Sequence, residues 1–268
     1  MLSKVLIGRY IPGDSIIHAL DPRTKLILTL MFMVIVFIAN SWVTYLVLVL
    51  FALIITKVAD LSIRFLFDGL KLILFLFIFT FLMHVFVTKG GTVLVDGGFF
   101  TIESQGIITG IFITTRLTLL VVITTILTLT TSPIELTHGL EKMFEPLKRF
   151  RVPVSEIAMM MSISLRFIPT LMDETEKIIK AQSARGSSFR VGSIKERLQA
   201  LLAIFIPLFV SAFKRAEELA VAMDVRGYNV KGARTSYRLL EWRLKDTLAI
   251  IVMLLLAVIL FVLRMYSI

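Results

Sequence analysis

Apolar residues crowd into five runs, at about 26–39, 42–56, 70–88, 107–131 and 247–263. About 20 apolar residues cross the roughly 30 Å hydrocarbon core of a bilayer as a helix, so each run predicts a transmembrane span. The first two are short, and Asn40-Ser41 is the only polar break between them, which predicts a tight helical hairpin. The largest polar block, 132–246, reads differently: apolar residues recur among charges, as on amphipathic helices.

Local signals place three helices in that block. Ser132-Pro133-Ile134-Glu135 combines an N-cap serine, a proline at the first helical position and a glutamate three residues after the cap. It predicts a short helix ending near Glu145-Pro146. A second helix follows Pro153 at Ser155 and runs to Arg185, roughly 46 Å at 1.5 Å per residue. A third starts at Ser193, with Glu196 completing a capping box, and ends near Arg226. Its opening stretch, 198–213, is apolar enough to pass for another span, yet as a helix it reaches only roughly 24 Å. It is expected to lie against the membrane base or a partner, the alternative being that its first half dips into the bilayer.

Charge placement orients the spans. With 1–25, 57–71 and 132–246 assigned to the cytoplasm, 26 of the 29 Lys and Arg fall there together with 17 of the 19 Asp and Glu, a net +9 against +1 elsewhere. Lys and Arg placement sets orientation, so the N-terminus is expected in the cytoplasm and the C-terminus outside. The fold class is an all-α integral membrane protein with about five transmembrane helices. It divides into 1–131, the N-terminal segment and first four spans; 132–246, a cytoplasmic domain of one short and two long helices; and 247–268, the last span.

Composition agrees. The apolar fraction is 57% and the mean hydropathy +0.90, far above the roughly 45–50% apolar content of soluble domains. The pI near 10 follows from the placement of cations on the inner side and does not point to nucleic acid. Without cysteine there is no disulfide or thiolate site. Lys4 and Arg9 precede only a short, interrupted stretch, so the first long run reads as a retained span and not as a cleaved signal.

Smaller features add detail. Asp21-Pro22 sets a turn before the first span, and Arg23 and Lys25 are expected to anchor it at the headgroups. The outer segment 89–106, with Gly90-Gly91 and Gly97-Gly98, suits a short hairpin or an irregular cap, and Gly106 with Gly110 permits close helix packing. Arg116, about ten residues into the fourth span, either lines a substrate path or holds helices together. Thr124, Thr125, Thr128, Thr130 and Thr131 are expected to bond to their own backbone or a neighbouring helix. Glu174, Glu176, Glu217 and Glu218 read as solvated faces balanced by nearby cations.

The polar block contains a repeat. Phe167-Ile168-Pro169 leads to Ala184-Arg185-Gly186, and Phe205-Ile206-Pro207 leads to Val225-Arg226-Gly227. Glycine just past a helix takes the left-handed conformation that closes it, and a cation there complements the helix dipole. Each arginine is thus held at an exposed tip, suited to plug an acidic socket on another protein. Met159-Met160-Met161, consecutive on one helix, must turn at least one thioether outward; such side chains suit a surface that repacks against different partners, with core packing the alternative. The chain lacks GxxxxGK[ST], HExxH and GxSxG motifs and any set of carboxylates at metal-binding spacing, so it is not expected to be an enzyme. His18, His84 and His138 lie on separate elements and read as packing or interfacial residues, with no metal site.

Leu20-Asp21-Pro22-Arg23-Thr24-Lys25-Leu26, Thr131-Ser132-Pro133, Leu165-Arg166-Phe167-Ile168-Pro169, Ala181-Gln182-Ser183-Ala184-Arg185-Gly186 and Ala222-Met223-Asp224-Val225-Arg226-Gly227-Tyr228 occur in this order across nearly the whole chain. Together they resemble the transmembrane coupling component of energy-coupling factor (ECF) transporters, the EcfT and CbiQ-like family. Val225 departs from the alanine expected before the second Arg-Gly. The resemblance implies a prokaryotic cell-membrane complex with two ABC-type ATPase subunits and a small substrate-binding membrane subunit for vitamin or metal uptake. It implies that the ATPases hold ATP and Mg²⁺, that this chain binds no cofactor, and that the two long helices are coupling helices whose tips, Ala184, Arg185, Gly186 and Val225, Arg226, Gly227, seat in the ATPases. The apolar faces that begin these helices, with Met159, Met160, Met161, Phe205 and Phe209, are expected to meet the capturing subunit. A vitamin module is the first reading and a dedicated cobalt or nickel permease the second. A self-contained secondary transporter is the rival class, disfavoured because no inverted repeat is visible among the spans.

Overall fold

The computed structural model describes residues 10–96, 101–186, 193–228 and 240–266. Along them run α1 (Pro22–Val36), α2 (Trp42–Val58), α3 (Ile63–Val87), β1 (Val93–Asp96), β2 (Thr101–Glu103), α4 (Ser104–Thr130), α5 (Pro133–Met143), a 3-10 turn at Glu145–Phe150, α6 (Val154–Ala184), α7 (Ile194–Val225) and α8 (Leu244–Tyr266). They gather into two compact units: α1 to α5 with the strands and α8, and α6 with α7.

In the first unit α1, α2, α4 and α8 share one apolar core, with Phe32, Val36, Leu48, Leu119 and Leu260 at its centre. Their outer faces also carry exposed Leu46, Leu50, Leu254 and Phe261, and helices apolar all round are what a bilayer requires. Lipid removes the hydrophobic drive for helix to pack on helix, so close approach of backbones has to supply it. The α3–α4 pair does this with glycine: a Cβ on Gly106 would come within 2.8 Å of the Thr88 carbonyl oxygen and 2.9 Å of that of His84. Beyond the pair, β1 and β2 form an antiparallel hairpin in which Val93 faces Glu103 and Asp96 faces Thr101; its apex, with Gly97-Gly98, lies outside the described residues.

The α1–α2 hairpin turns at Asn40-Ser41 as expected. Arg116 Nη2 donates to the Ala39 carbonyl at 3.2 Å, and its guanidinium lies 5.1 Å from the Phe37 ring centroid. Arg264 Nη1 reaches the Ile38 carbonyl at 3.5 Å. Both cations complement the carbonyl end of α1, where a helix leaves acceptors without donors. That favours the helix-holding reading of Arg116. Three of the threonines bond to their own backbone as expected, Thr124 donating to the Leu120 carbonyl, Thr128 to Thr124 and Thr130 to Ile126, each at 2.8–2.9 Å; Thr131 does not, its buried hydroxyl having no partner among the described residues.

A buried polar knot joins the two ends of this unit. Asp21 caps α1 through the Arg23 N–H at 2.8 Å. The Asp21 N–H in turn donates to Asp246 at 2.9 Å, and the second oxygen of Asp246 accepts the Arg243 N–H at 2.9 Å. Arg23 also donates to the Leu240 carbonyl at 2.9 Å. Lys25 departs from the expected headgroup position: it is 5% exposed and donates to the carbonyls of His18 and Thr130, both at 3.0 Å. The Thr130 carbonyl belongs to the last turn of α4, which has no helical donor of its own, and the lysine fills that vacancy.

The expected caps are present. Ser132 with Glu135 opens α5, and Ser193 with Glu196 opens α7, each hydroxyl and each carboxylate accepting from the other residue's N–H. By length and apolar content α4, α6, α7 and α8 are long enough to cross a membrane, while α2 and the Ile73–Val87 part of α3 are shorter. The expectation that 198–213 is too short to cross therefore fails as an argument from length. That stretch is part of a continuous helix of 32 residues, because Pro207 interrupts one hydrogen bond without ending it.

Candidate functional site

The α6–α7 unit presents both Arg-Gly tips. In α7, Arg226 is the C-cap (φ −81°), and Gly227 turns left-handed at φ +72°. The Gly227 N–H donates to the Asp224 carbonyl at 2.9 Å and the Tyr228 N–H to the Met223 carbonyl at 2.9 Å, the paired bonds of a Schellman closure. In α6, Arg185 is the C-cap, Gly186 has φ +89°, and its N–H donates to the Ser183 carbonyl at 3.0 Å. A Cβ on either glycine would meet nothing within 4 Å. The glycines are thus needed for backbone conformation and not for space. Both arginines are exposed, and neither side chain has a hydrogen-bond or ion-pair partner among the described residues.

Side chains lock the two helices together in opposite directions. Met159 Sδ accepts from the Tyr228 hydroxyl at 2.8 Å, Glu174 accepts from Ser211 at 2.6 Å and from Arg215 at 2.7 Å, and Gln182 donates to the Ala203 carbonyl at 3.4 Å. Position falls along α7 as it rises along α6, so the pair is antiparallel. The two tips therefore lie at opposite ends, on the order of 40 Å apart for some 26 intervening residues.

Two of these contacts were not foreseen. Pro207 has no N–H, so the carbonyl four residues earlier, that of Ala203, lacks its helical donor; Gln182 supplies one from the last turn before Arg185. The proline announces the vacancy in the sequence but not who fills it. Glu174 is no simple solvated face, since it bridges both helices, whereas Glu176 pairs within its own helix with Lys180 at 3.0 Å.

The apolar positions divide. Phe205 and Phe209 are 62% and 64% exposed, and with Leu198, Leu202, Ile206 and Phe213 they form one stripe along α7. Met160 and Met161 are exposed as well, while Met159 is half-buried on Tyr228. The histidines sit apart with local partners: His18 between Ser15 Oγ (2.6 Å) and the Ile11 carbonyl (3.0 Å), His84 beside Thr88, His138 beside Glu141.

Comparison with known proteins covers nearly all of the chain. A family model described as cobalt transport protein (CbiQ) matches residues 13–237. An energy-coupling factor transporter transmembrane protein of Macrococcus caseolyticus is 53% identical over 254 residues, 95% of this chain and 96% of its own length. Proteins of the same description from Bacillus subtilis and Staphylococcus aureus are 52% and 50% identical, each over 98% of this chain and over 100% and 98% of their own lengths.

Proposed function

The chain belongs to the CbiQ/EcfT family of energy-coupling factor transporter transmembrane proteins, and on that premise we propose that it is the coupling subunit of an ATP-driven importer. Two ABC-type ATPases hold ATP and Mg²⁺ and seat the Arg185 and Arg226 tips. A small membrane subunit captures the substrate and rests on Met160, Met161, Phe205 and Phe209, with Met159 behind them. The observation that supports this reading is the pair of exposed guanidiniums, unpartnered among the described residues, at opposite ends of one antiparallel helix pair. A guanidinium forks onto a carboxylate through two parallel hydrogen bonds, so each tip suits an acidic groove. Closure of the ATPase pair on ATP displaces the two ends of the rod, and the stripe on α7 carries that displacement to the capturing subunit. The cargo is a vitamin; a dedicated cobalt importer is the second reading, favoured by the description of the matching family model.

Crosslinking tests the capturing surface. A photoreactive residue at Phe205, Phe209 or Met160 is expected to trap a small membrane protein, and more than one such protein if the module is shared. Crosslinks confined to this chain would return these side chains to internal packing.

The orientation belongs to the same proposal: cell membrane, N-terminus cytoplasmic, C-terminus external, with α6 and α7 on the inner side despite their length. The support is the cation count, which no length criterion reproduces. In this cysteine-free chain, single cysteines at Thr92 and Tyr266 are expected to react with an impermeant maleimide on intact cells, and one at Lys148 only after permeabilisation. Labelling of the Lys148 position on intact cells would reverse the topology and remove the tips from the ATPases.

A further inference from the structure

The 3-10 turn Glu145–Phe150, which follows α5, carries an unusual surface of the first unit. Three residues complete one turn of a 3-10 helix, so residues three apart stand in line. Phe144, Leu147 and Phe150 are such a set, and all three are exposed, Phe150 at 81%. The Leu147 N–H donates to the Phe144 carbonyl at 2.9 Å, and Arg151 ends the turn in the left-handed region at φ +62°. Around this apolar line lie Lys142, Lys148, Arg149 and Arg151, all exposed. Glu145 accepts from Lys142 at 3.3 Å and from Lys148 at 3.2 Å, and it is the single acid of the segment 142–151, whose four cations leave a net charge of +3. Arg149 and Arg151 form no ion pair among the described residues. An exposed apolar line flanked by surplus cations has the composition of an interfacial membrane anchor.

We propose that this turn seats in a leaflet rich in anionic lipid: Phe144, Leu147 and Phe150 enter the boundary between headgroups and acyl chains, and Lys148, Arg149 and Arg151 stay at headgroup level on lipid phosphates. Its level in the fold matches that role. A Cβ on Gly139 of α5 would come within 3.1 Å of Pro22 Cβ and 3.3 Å of Leu26 Cδ1, so α5, which leads into the turn, packs on the first turns of α1, where the first apolar run begins. The bond from the Asp21 N–H to Asp246 holds the start of α8 at the same level. There exposed Trp242 and Lys245 give the pairing of aromatic and cation found at membrane–water interfaces. Charge alone would equally suit an acidic protein groove; the position beside the ends of the spans selects lipid, whose anionic headgroups attract basic segments at this level. The anchor requires only that this unit crosses a membrane, and it works in either orientation and without any ATPase.

Spin labelling of the full chain in vesicles of equal phosphatidylglycerol and phosphatidylcholine tests this. The chain has no cysteine, so Phe150→Cys, Phe75→Cys on the exposed face of α3 and Lys180→Cys on α6 each carry a single nitroxide. Oxygen concentrates in hydrocarbon and a nickel chelate in water, and the two collision rates report where each label lies. The label at position 150 is expected to collide with oxygen several times as often as with the chelate, as at position 75, while position 180 shows the reverse. Lys148→Glu, Arg149→Glu and Arg151→Glu together remove roughly fivefold of seating per cation. They are expected to return the label at position 150 to the preference seen at position 180, while the label at position 75 stays in lipid and shows the variant still inserted. A preference for the chelate at position 150 with the three cations intact overturns the proposal and gives the turn to a protein partner. An oxygen preference that survives the triple reversal overturns it too, because the cations then play no part.

Discussion

Reversing both tip arginines, Arg185→Glu with Arg226→Glu, abolishes co-purification of the ATPases while the chain remains folded in the membrane. Stability is spared because both guanidiniums are exposed and make no hydrogen bond or ion pair among the described residues. Assembly is not spared. Truncating one partner of a buried, hydrogen-bonded charge pair costs about 2–5 kcal/mol, and reversal adds like-charge repulsion. At about 1.4 kcal/mol per factor of ten, each tip accounts for roughly 30-fold or more in affinity, and two tips compound. Arg185→Lys keeps the charge but loses the planar fork, so it is expected to fall between wild type and the reversal. The measurement is recovery of tagged ATPases with wild type, each single variant and the double variant, together with substrate uptake. Normal assembly and uptake by the double variant would end the plug-and-socket reading.

The second large effect is on stability. Asp246 is 1% exposed and accepts two backbone N–H groups, those of Asp21 and Arg243. Asp246→Ala leaves both donors buried and unmet, at about 1–3 kcal/mol each, and removes a negative charge beside the cations Arg23 and Lys25. The expected loss is about 3–5 kcal/mol, a fall of roughly 10 °C or more in the melting temperature of the purified chain. Asp246→Asn keeps one acceptor oxygen and is expected to lose about half as much. Glu241→Ala removes only an exposed pair with Arg243 at 3.7 Å, and leaves the transition in place. If Asp246→Ala and Glu241→Ala melt together, the knot does not hold the unit closed.

Sequence reading succeeded where the cause of structure is local. The Ser132–Glu135 and Ser193–Glu196 boxes, the Gly186 and Gly227 terminations and the Gly106 approach each depend on residues within a few positions or on one small side chain. It failed where the partner is distant. Asp21-Pro22 read as a turn, but its N–H bonds to a carboxylate 225 residues away. Lys25 read as a headgroup anchor because hydropathy does not reveal that α4 ends beside it with an unfilled carbonyl. Gln182 gave no signal at all, since its role depends on a proline in another helix. The length argument over 198–213 failed for another reason: the helix from Ser193 to near Arg226 was expected whole, but only its apolar opening was measured against the bilayer. Of the tips themselves the sequence disclosed the local form, and the antiparallel pairing that sets them at opposite ends appeared only with the contacts between α6 and α7.

The bond between Asp21 and Asp246 also sets a schedule for biosynthesis. A ribosome adding about 5–20 residues per second needs roughly 10–45 s to make the chain between them. Through that interval the start of α1 stands without its buried acceptor, and the Arg23 guanidinium lacks the Leu240 carbonyl. Closure of the base is therefore a late, post-insertion event, gated by delivery of the final helix. A nascent chain stalled before α8 leaves the Asp21 N–H without the Asp246 carboxylate that accepts it in the finished subunit.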